Sequence, residues 1–330
     1  MTVRARQVLA CCGVAWIVIA ALSTFAAAQD SAKAKDDKPI AAEGKRDVTS
    51  WFKSLDKNAD GKVERDEVSD IIWRRLARSD ADGNGMVTLA EIAGSRTRSD
   101  RPGGVGTDFE VREFKGMGDK TLKYGWLAPT KLSSGEKYPL VLCLHGRGGN
   151  TMAADALATT ARREKFPCYI MAPACDQPAW WASTAILGRG EHEELLPLVI
   201  EAVRSLMAKE SIDPARIYVT GQSMGGVGSW GAIARYPELF AAAAPVCGAW
   251  PVEDAAKMTA VPVWAFHGEV DKTVPVKWSR ELTAAMNKAG GVAKYTEYAG
   301  VGHDSWGDTY ANEALWTWMF EQRKKAKEKD

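Results

Sequence analysis

This 330-residue chain has almost no net charge. Its 43 Lys and Arg residues are balanced by 42 Asp and Glu residues, for a formal net charge of +1. That balance gives no electrostatic argument for nucleic acid or an anionic membrane surface as a partner. Histidine is scarce, with four residues, so a site that needs a base at neutral pH has few candidates. The hydrophobic fraction of 46% is ample for a large buried core.

Cysteine is nearly as scarce, with six residues, of which four lie beyond the N-terminal segment: Cys143, Cys168, Cys175 and Cys247. Four cysteines allow up to two disulfides, and their pairing cannot be deduced from the sequence. Cys168 with Cys175 is the pair we expect. Cys143 lies inside an apolar, strand-like run and is expected to be a buried free thiol.

The N-terminal segment combines Arg4 and Arg6 with an apolar stretch from Val8 to Ala27 and an alanine-rich end. This arrangement is typical of a secretory signal peptide, which we place at residues 1–28. The mature protein is then expected to be secreted or periplasmic, with no membrane contact after cleavage. An uncleaved membrane anchor is the alternative, because the apolar stretch is nearly long enough to span a bilayer.

Two stretches divide the rest of the chain. Residues 29–46 are mostly Ala, Lys and Asp and are predicted to be a flexible linker, because they cannot bury a core. Residues 99–107, which include Arg101-Pro-Gly-Gly, are predicted to be a second linker. The linkers separate a small module at residues 47–98 from a large domain at residues 108–323, with a charged tail at residues 324–330.

Two loops in the small module carry oxygen-bearing groups at regular intervals. At loop positions one, three, five, seven, nine and twelve, the first loop has Asp56, Asn58, Asp60, Lys62, Glu64 and Glu67, and the second has Asp80, Asp82, Asn84, Met86, Thr88 and Glu91. Glycine occupies position six, where the turn is sharp, and position seven contributes its backbone carbonyl. Oxygen ligands in this number suit Ca²⁺ better than Mg²⁺ or a transition metal.

This segment resembles a pair of EF-hands, which implies up to two bound Ca²⁺ ions in an all-α module. Val63 and Val87 are expected to pair as a short β link between the loops. The loops begin only 24 residues apart, so the segment from Asp66 to Arg78 has to serve as the exit helix of one and the entry helix of the next. A structural role for the calcium is expected, because extracellular calcium is plentiful enough to occupy even weak sites.

Strand-like and helix-like segments alternate through the large domain. The predicted strands are Tyr138–Leu144, Cys168–Pro173, Arg216–Thr220, Ala243–Val246, Val261–His267 and Ala293–Tyr298, and the predicted helices include Ala153–Glu164, Glu191–Ala208, Gly226–Arg235, Val276–Lys288 and Asn312–Lys324. Such alternation predicts an α/β fold with a doubly wound, mainly parallel sheet covered on both faces. Reacting groups are then expected at the carboxyl ends of the strands.

The pentapeptide from Gly221 to Gly225, with Ser223 at its centre, directly follows one predicted strand. Glycines on either side of the serine allow a strand to reverse sharply into a helix, which holds the serine side chain out alone. By itself this pentapeptide is a weak motif. Three further motifs follow other predicted strands in chain order: His145-Gly146, Gly268-x-x-Asp271-x-x-Val274-Pro275 and Gly302-His303.

These motifs resemble those of the α/β-hydrolase superfamily over residues 108–323, in particular the serine esterases related to polyhydroxybutyrate depolymerase, feruloyl esterase and prolyl-oligopeptidase-like hydrolases. The resemblance implies that Ser223 is the nucleophile, His303 the base and Asp271 the acid of a catalytic triad. It also implies an oxyanion hole formed by the backbone N–H groups of Met224 and Arg147.

Other residues compete for roles in the site. His145 and His267 are expected to shape their loops, and Glu269 is the alternative triad acid. Trp180 and Trp181 are candidates to stack against a sugar or an aromatic acid of the substrate, with core packing as the alternative.

The sequence therefore predicts an exported, calcium-binding carboxylic ester hydrolase without an organic cofactor, acting on polysaccharide-linked or small acyl and aryl esters. One alternative is a peptidase of the prolyl-oligopeptidase kind, because it uses the same triad. The other is a calcium-dependent binding protein with an inactive hydrolase domain. A complete set of nucleophile, base, acid and oxyanion loop argues against that last alternative.

Overall fold

The computed structural model describes residues 48–69, 72–73, 76, 79–80, 85–92, 101–176, 178–182 and 192–324. The predicted signal peptide and the predicted linker at residues 29–46 lie outside the described residues, as do Asp82, Asn84 and residues 325–330 of the tail. Backbone contacts divide the chain into residues 1–50 and residues 51–330, and not at the predicted linker 99–107. Among the described residues, no helix combines the length and apolar character needed to cross a bilayer.

The small module contains helix α1 at Val48–Leu55 and two very short strands, β1 at Lys62–Val63 and β2 at Val87–Thr88. The two strands pair antiparallel, with Val63 opposite Val87, as the sequence predicts. Both valine side chains are fully buried. A 3₁₀ turn at Arg65–Glu67 follows β1.

The large domain is a sheet with helices between most of its strands. Its strands are β3 Glu110–Lys115, β4 Thr121–Leu127, β5 Tyr138–Leu144, β6 Tyr169–Pro173, β7 Ile212–Gln222, β8 Ala242–Val246, β9 Val263–Gly268 and β10 Ala293–Tyr298. Its described helices are α2 Met152–Ala158, α3 Thr160–Lys165, α4 Leu196–Lys209, α5 Met224–Arg235, α6 Lys277–Lys288, α7 Trp306–Ala311 and α8 Glu313–Glu321. All the predicted strands are present, and the predicted helix over residues 153–164 is divided into α2 and α3.

The strand order in the sheet is β10-β9-β8-β7-β5-β6-β4-β3. From β10 to β6 all neighbours are parallel, which confirms the predicted mainly parallel sheet. The strands β3 and β4, which the sequence analysis missed, extend the sheet with antiparallel pairing. The carboxyl ends of β5, β7, β8, β9 and β10 therefore meet at one edge.

Helices cover both faces of the sheet. The central strand β5 is apolar throughout because its side chains are buried on both of these faces. Leu140, Leu142 and Leu144 belong to the core shared with α4, α5 and α6, whereas Val141 and Cys143 belong to the core shared with α2 and α8. Successive side chains of a strand point to opposite faces, so a strand covered on both sides has to be apolar at every position.

The four cysteines in the described part of the chain are free and buried, so the expected Cys168–Cys175 disulfide is wrong. Cys168 directly precedes β6 and Cys175 lies two residues beyond its end, so the extended strand keeps the two residues too far apart for a disulfide. Burial raises the pKa of each of these two thiols to about 12. Cys143 is a buried free thiol, as predicted.

The described part of the predicted linker at residues 99–107 is packed into the large domain. Gly103 and Gly104 have left-handed φ values of 71° and 62°, and a Cβ atom at Gly104 would lie 2.4 Å from the carbonyl oxygen of Gly149. Val105 is completely buried. From residue 101 onward the segment therefore belongs to the domain and is not a free linker.

Candidate active site

The turn from β7 into α5 holds Ser223 in an unusual backbone conformation, with φ 55° and ψ −114°. Few residues other than glycine adopt positive φ, and such strain concentrates at functional sites. The flanking glycines are required by close approach, because a Cβ atom at Gly225 would lie 1.9 Å from the carbonyl oxygen of Leu144. The turn therefore presses against the end of β5 and presents the serine at the carboxyl edge of the sheet.

Three predicted residues from three separate strand ends come together at this edge. The distance between Ser223 Oγ and His303 Nε2 is 2.8 Å, and that between His303 Nδ1 and Asp271 Oδ2 is 2.7 Å. Nδ1–H donates to the carboxylate, which leaves Nε2 to accept from the serine hydroxyl. The Asp271 side chain is fully buried and that of His303 is 21% exposed.

Asp271 is held by hydrogen bonds to both of its carboxylate oxygens. Oδ1 accepts from the backbone N–H groups of Thr273 and Val274 at 2.8 and 2.9 Å. Burial alone would raise the pKa of Asp271, but hydrogen bonds from His267, His303 and Val274 outweigh it and hold the pKa well below its usual range. The carboxylate is therefore ionised where His303 needs a negative partner.

Glu269, the alternative acid, is exposed and accepts a hydrogen bond from the backbone N–H of Gly300 at 2.8 Å. It thereby supports the turn that precedes His303. The structure places Asp271, and not Glu269, against the histidine ring.

The loop after β5 runs beside the serine. A Cβ atom at Gly146 would lie 3.7 Å from Ser223 Cβ. His145 is buried, its Nδ1–H donates to Gly146 O at 2.7 Å, and its Nε2 accepts from Cys175 N–H at 2.9 Å. Burial lowers the pKa of His145. These contacts confirm that His145 shapes the loop.

Gln222 ties the same loop to the serine turn from the other side. Its Nε2 donates to the carbonyl oxygen of Asn150 at 2.6 Å. This contact is not predicted from the sequence, where the signal for it is only that Gln222 directly precedes Ser223. The loop that carries Arg147 is therefore in contact, through Gly146 and Asn150, with the turn that carries Ser223.

The expectation that Trp180 and Trp181 stack against substrate is wrong, because both side chains are buried. Trp181 is completely inaccessible and its indole N–H donates to the carbonyl oxygen of His145 at 2.8 Å. Trp181 packs so closely on α5 that a Cβ atom at Gly228 would lie 2.6 Å from the Cβ atom of Trp181. Trp180 is 3% exposed, and its ring lies under the Arg147 guanidinium at 4.7 Å and stacks with His192 at 5.6 Å.

Trp306 lies beside His303. Its ring stands perpendicular to that of His303, with centroids 5.4 Å apart, and it is partly exposed. An aromatic edge at this distance limits where the imidazole can move.

Cys247, at the end of β8, also lies close to the site. Its Sγ and the ligand atoms of Asp271 and His303 lie within 4.8 Å of one another, a spacing that metal ligands can have. Two of these three groups, His303 and Asp271, are hydrogen-bonded to each other at 2.7 Å. Burial raises the pKa of the Cys247 thiol, so this group is neutral.

The first predicted calcium loop of the small module has its acidic groups bonded to loop N–H groups. Asp56 Oδ2 accepts from Gly61 N–H at 2.9 Å, and Gly61 has φ 86°. Glu67 Oε2 accepts from Glu64 N–H at 2.8 Å, and Oε1 accepts from Lys57 and Asn58 N–H at 2.8 and 3.1 Å. The Glu64 N–H lowers the pKa of Glu67.

The described part of the second loop repeats this pattern. Asp80 Oδ2 accepts from Gly85 N–H at 2.9 Å. Glu91 Oε2 accepts from the hydroxyl of Thr88 at 2.8 Å. The two remaining predicted side-chain ligands, Asp82 and Asn84, lie outside the described residues.

Comparison with known proteins finds esterases. The Dienelactone hydrolase family matches residues 176–329. Poly(3-hydroxyalkanoate) depolymerase C of Paucimonas lemoignei is 34% identical over 42% of this chain and 34% of its own length. A probable carboxylesterase SOBER1-like of Arabidopsis thaliana is 26% identical over 49% of this chain and 71% of its own length.

Among solved structures, that of a thermostable esterase has a TM-score of 0.62 and 37% identity, covering 66% of this chain and 63% of that one. This chain thus spans about a third of the depolymerase and less than two thirds of the esterase. The fold is that of the α/β hydrolases. The family and the relatives that match are hydrolases, esterases and a depolymerase.

Asp271 allows a prediction about stability and pH. Its folded pKa lies below the unfolded value of about 4. Its contribution to the free energy of unfolding is therefore fully present above the unfolded value and is lost as the pH falls through the folded value. Asp271→Asn is expected to lower the free energy of unfolding at pH 7.5 by about 1 to 3 kcal/mol, and the difference should not shrink between pH 7.5 and 5.

Urea denaturation at pH 7.5, 5 and 3.5 measures that difference. Only below about pH 4 should it decrease. Asp108→Asn is the control, because Asp108 is exposed and the substitution should leave stability nearly unchanged. A difference that disappears already at pH 5 would contradict the assignment.

Proposed function

We propose that this chain is a serine esterase that cleaves carboxylic esters through an acyl-enzyme intermediate. The observation that carries the proposal is the continuous hydrogen-bonded chain from Ser223 through His303 to Asp271, with distances of 2.8 and 2.7 Å. The esterase relatives support the same class of reaction.

In the first half of the reaction, Ser223 Oγ attacks the carbonyl carbon of the ester while its proton passes to His303 Nε2. The Asp271 carboxylate stabilises the imidazolium that forms. When the tetrahedral intermediate collapses, the bond to the alcohol oxygen breaks and the alcohol leaves with the proton from His303. The acyl group remains on Ser223.

In the second half, water replaces the alcohol. His303 accepts a proton from the water molecule while the water oxygen attacks the acyl carbon. Collapse of this second intermediate breaks the bond to Ser223 Oγ, which takes back the proton. The carboxylic acid product is released and the site returns to its starting state.

We propose that the backbone N–H groups of Met224 and Arg147 donate hydrogen bonds to the negatively charged oxygen of both tetrahedral intermediates. Met224 is the first residue of α5, and the N-terminus of a helix favours negative charge. The position of Gly146 beside Ser223 supports a contribution from the same loop.

The substrates we propose are small acyl or aryl esters and esters linked to a polysaccharide or another polymer. Part of the His303 side chain is exposed, as is part of Ser223, so a bulky group on the ester can remain in solvent. The similarity to a poly(3-hydroxyalkanoate) depolymerase supports a polymeric ester as one candidate.

We further propose that residues 1–28 direct export and that the module at residues 47–98 binds Ca²⁺. The left-handed glycine at position six and the inward hydrogen bonding of Asp56 and Glu67 support the first loop as a calcium loop. A carboxylate offers about four lone-pair sites, so the bonds it accepts from the backbone leave capacity for a cation.

The triad proposal predicts that Ser223→Ala lowers kcat/KM for p-nitrophenyl acetate by at least about 10³-fold, because the variant lacks the oxygen that forms the acyl-enzyme. Ser229→Ala is the matched control. Ser229 lies on the same helix and bonds to Gly225 O at 2.8 Å. The control should retain turnover, and wild-type turnover in Ser223→Ala would contradict the mechanism.

The calcium proposal predicts that calorimetric titration of the EDTA-treated full chain with CaCl₂ shows binding. Replacing both position-twelve residues, Glu67→Gln with Glu91→Gln, should weaken it by at least about 10-fold, because position twelve supplies a bidentate ligand. Asp66→Asn is the control, since Asp66 is exposed and is not at a ligand position.

Calcium removal should lower the melting temperature of the small module and leave esterase turnover nearly unchanged. Absence of heat on titration, or equal affinity in the double variant, would contradict the calcium proposal. Immediate loss of turnover on adding EDTA would contradict the structural role.

A further inference from the structure

His267 is a second histidine on the carboxylate of Asp271, and the proposed reaction does not use it. It lies near the end of β9, and its side chain is completely buried. His267 Nε2 lies 3.2 Å from Asp271 Oδ2 and 2.9 Å from the carbonyl oxygen of Val274. On the other side of the ring, Nδ1 lies 2.7 Å from the hydroxyl oxygen of Ser279 on α6.

These contacts determine where the proton on the ring is. Both groups facing Nε2 are acceptors, a carboxylate oxygen and a backbone carbonyl, so Nε2 has to carry a hydrogen. On the other side of the ring, the hydroxyl of Ser279 can donate to Nδ1. The Nε2–H of His267 is therefore shared between the carbonyl oxygen of Val274 and the carboxylate of the triad acid.

We propose that His267 is a positioning residue of the esterase site, whose Nε2–H fixes the Asp271 carboxylate in the orientation that His303 requires. The inference rests on the proposed function of Ser223, His303 and Asp271. It assigns His267 no contact with substrate.

Four hydrogen bonds hold the Asp271 carboxylate in one orientation. Oδ1 accepts from Thr273 and Val274 N–H, and Oδ2 is shared by His267 and His303. With His267 present, Oδ2 has a second, fully buried donor besides His303. The carboxylate plane is then set before His303 takes a proton from the serine, as electrostatic preorganisation requires.

His267 also connects the elements that carry Asp271. Its ring joins the end of β9 to the carbonyl of Val274 and, through Ser279, to the first turns of α6. The four-residue span from His267 to Asp271 is therefore closed by side-chain bonds as well as by the backbone. Loss of the Nε2 donor should loosen Asp271 without altering the surface that substrate meets.

The test compares two amides in the full chain, His267→Gln and His267→Asn. A glutamine amide reaches the position of Nε2 and keeps a donor for Asp271, whereas asparagine is shorter and does not. We expect kcat for p-nitrophenyl acetate to fall by about 10- to 100-fold in His267→Asn, with KM within about 2-fold of wild type, because only the orientation of the triad changes. In His267→Gln, kcat should stay within about 5-fold of wild type.

Circular dichroism and thermal melting establish that each variant is folded. If His267→Asn does not fold, His267→Met replaces it as a variant of similar volume without a donor, and the same loss of kcat is expected. Wild-type kcat in a folded variant without a donor would overturn the inference, and so would equal impairment of the Gln and Asn variants.

Failure of the proposed function gives a different result. If wild-type protein hydrolyses no ester and Ser223 reacts with no fluorophosphonate, the esterase proposal fails. If the wild type is active and His267→Asn is equally active, only the role of His267 fails.

Discussion

The carbonyl oxygen of Leu144 lies so close to the start of α5 that a Cβ atom on Gly225 would approach it to 1.9 Å. This contact between the end of β5 and the turn after β7 sets the position of everything else in the site. It requires glycine at positions 221 and 225, forces Ser223 to a positive φ, and brings the Gly146 loop beside the serine. Strain at one residue is maintained because the two central strands of a buried sheet hold the turn in place.

Parallel pairing extends this constraint across the sheet. The ends of β9 and β10 lie beside those of β7 and β8, so loops distant in sequence deliver Asp271 and His303 to the same edge. A buried carboxylate would be costly without partners, and Asp271 has four. The resulting charge is fixed, buried and aimed at His303, which gives the ring its tautomer and supports a positive charge on it.

Several parts of this arrangement could be predicted from the sequence, because they depend on local patterns. The glycines around Ser223, the Gly-x-x-Asp spacing before Val274-Pro275 and the Gly302-His303 pair each follow a β-rich run, and strand ends in a parallel sheet converge. Val63 and Val87 were paired correctly because equivalent positions of two repeated loops face each other. The sequence does not predict β3 and β4, because no residue of β3 is buried and β4 alternates between exposed and buried positions only from Thr121 to Tyr124.

Other features depend on contacts that sequence spacing does not reveal. The position of Trp181 after a predicted strand is one where substrate-binding residues are expected. Its indole nevertheless packs on Gly228 of α5, and no face of the ring is exposed. Cys168 and Cys175 are close in sequence but lie beyond opposite ends of β6. The bond from His267 to Asp271 needs the chain to turn back on itself within four residues, which a motif alone does not specify.

The proposed esterase reaction depends on Ser223 as the nucleophile that forms the acyl-enzyme. The most direct test of this role is to treat the protein with an alkyl fluorophosphonate and locate the adduct by peptide mass spectrometry. We expect one adduct, on Ser223, forming in step with loss of esterase activity, and much slower labelling in His303→Ala. Loss of activity with the adduct on another residue, or full activity with Ser223 labelled, would contradict it.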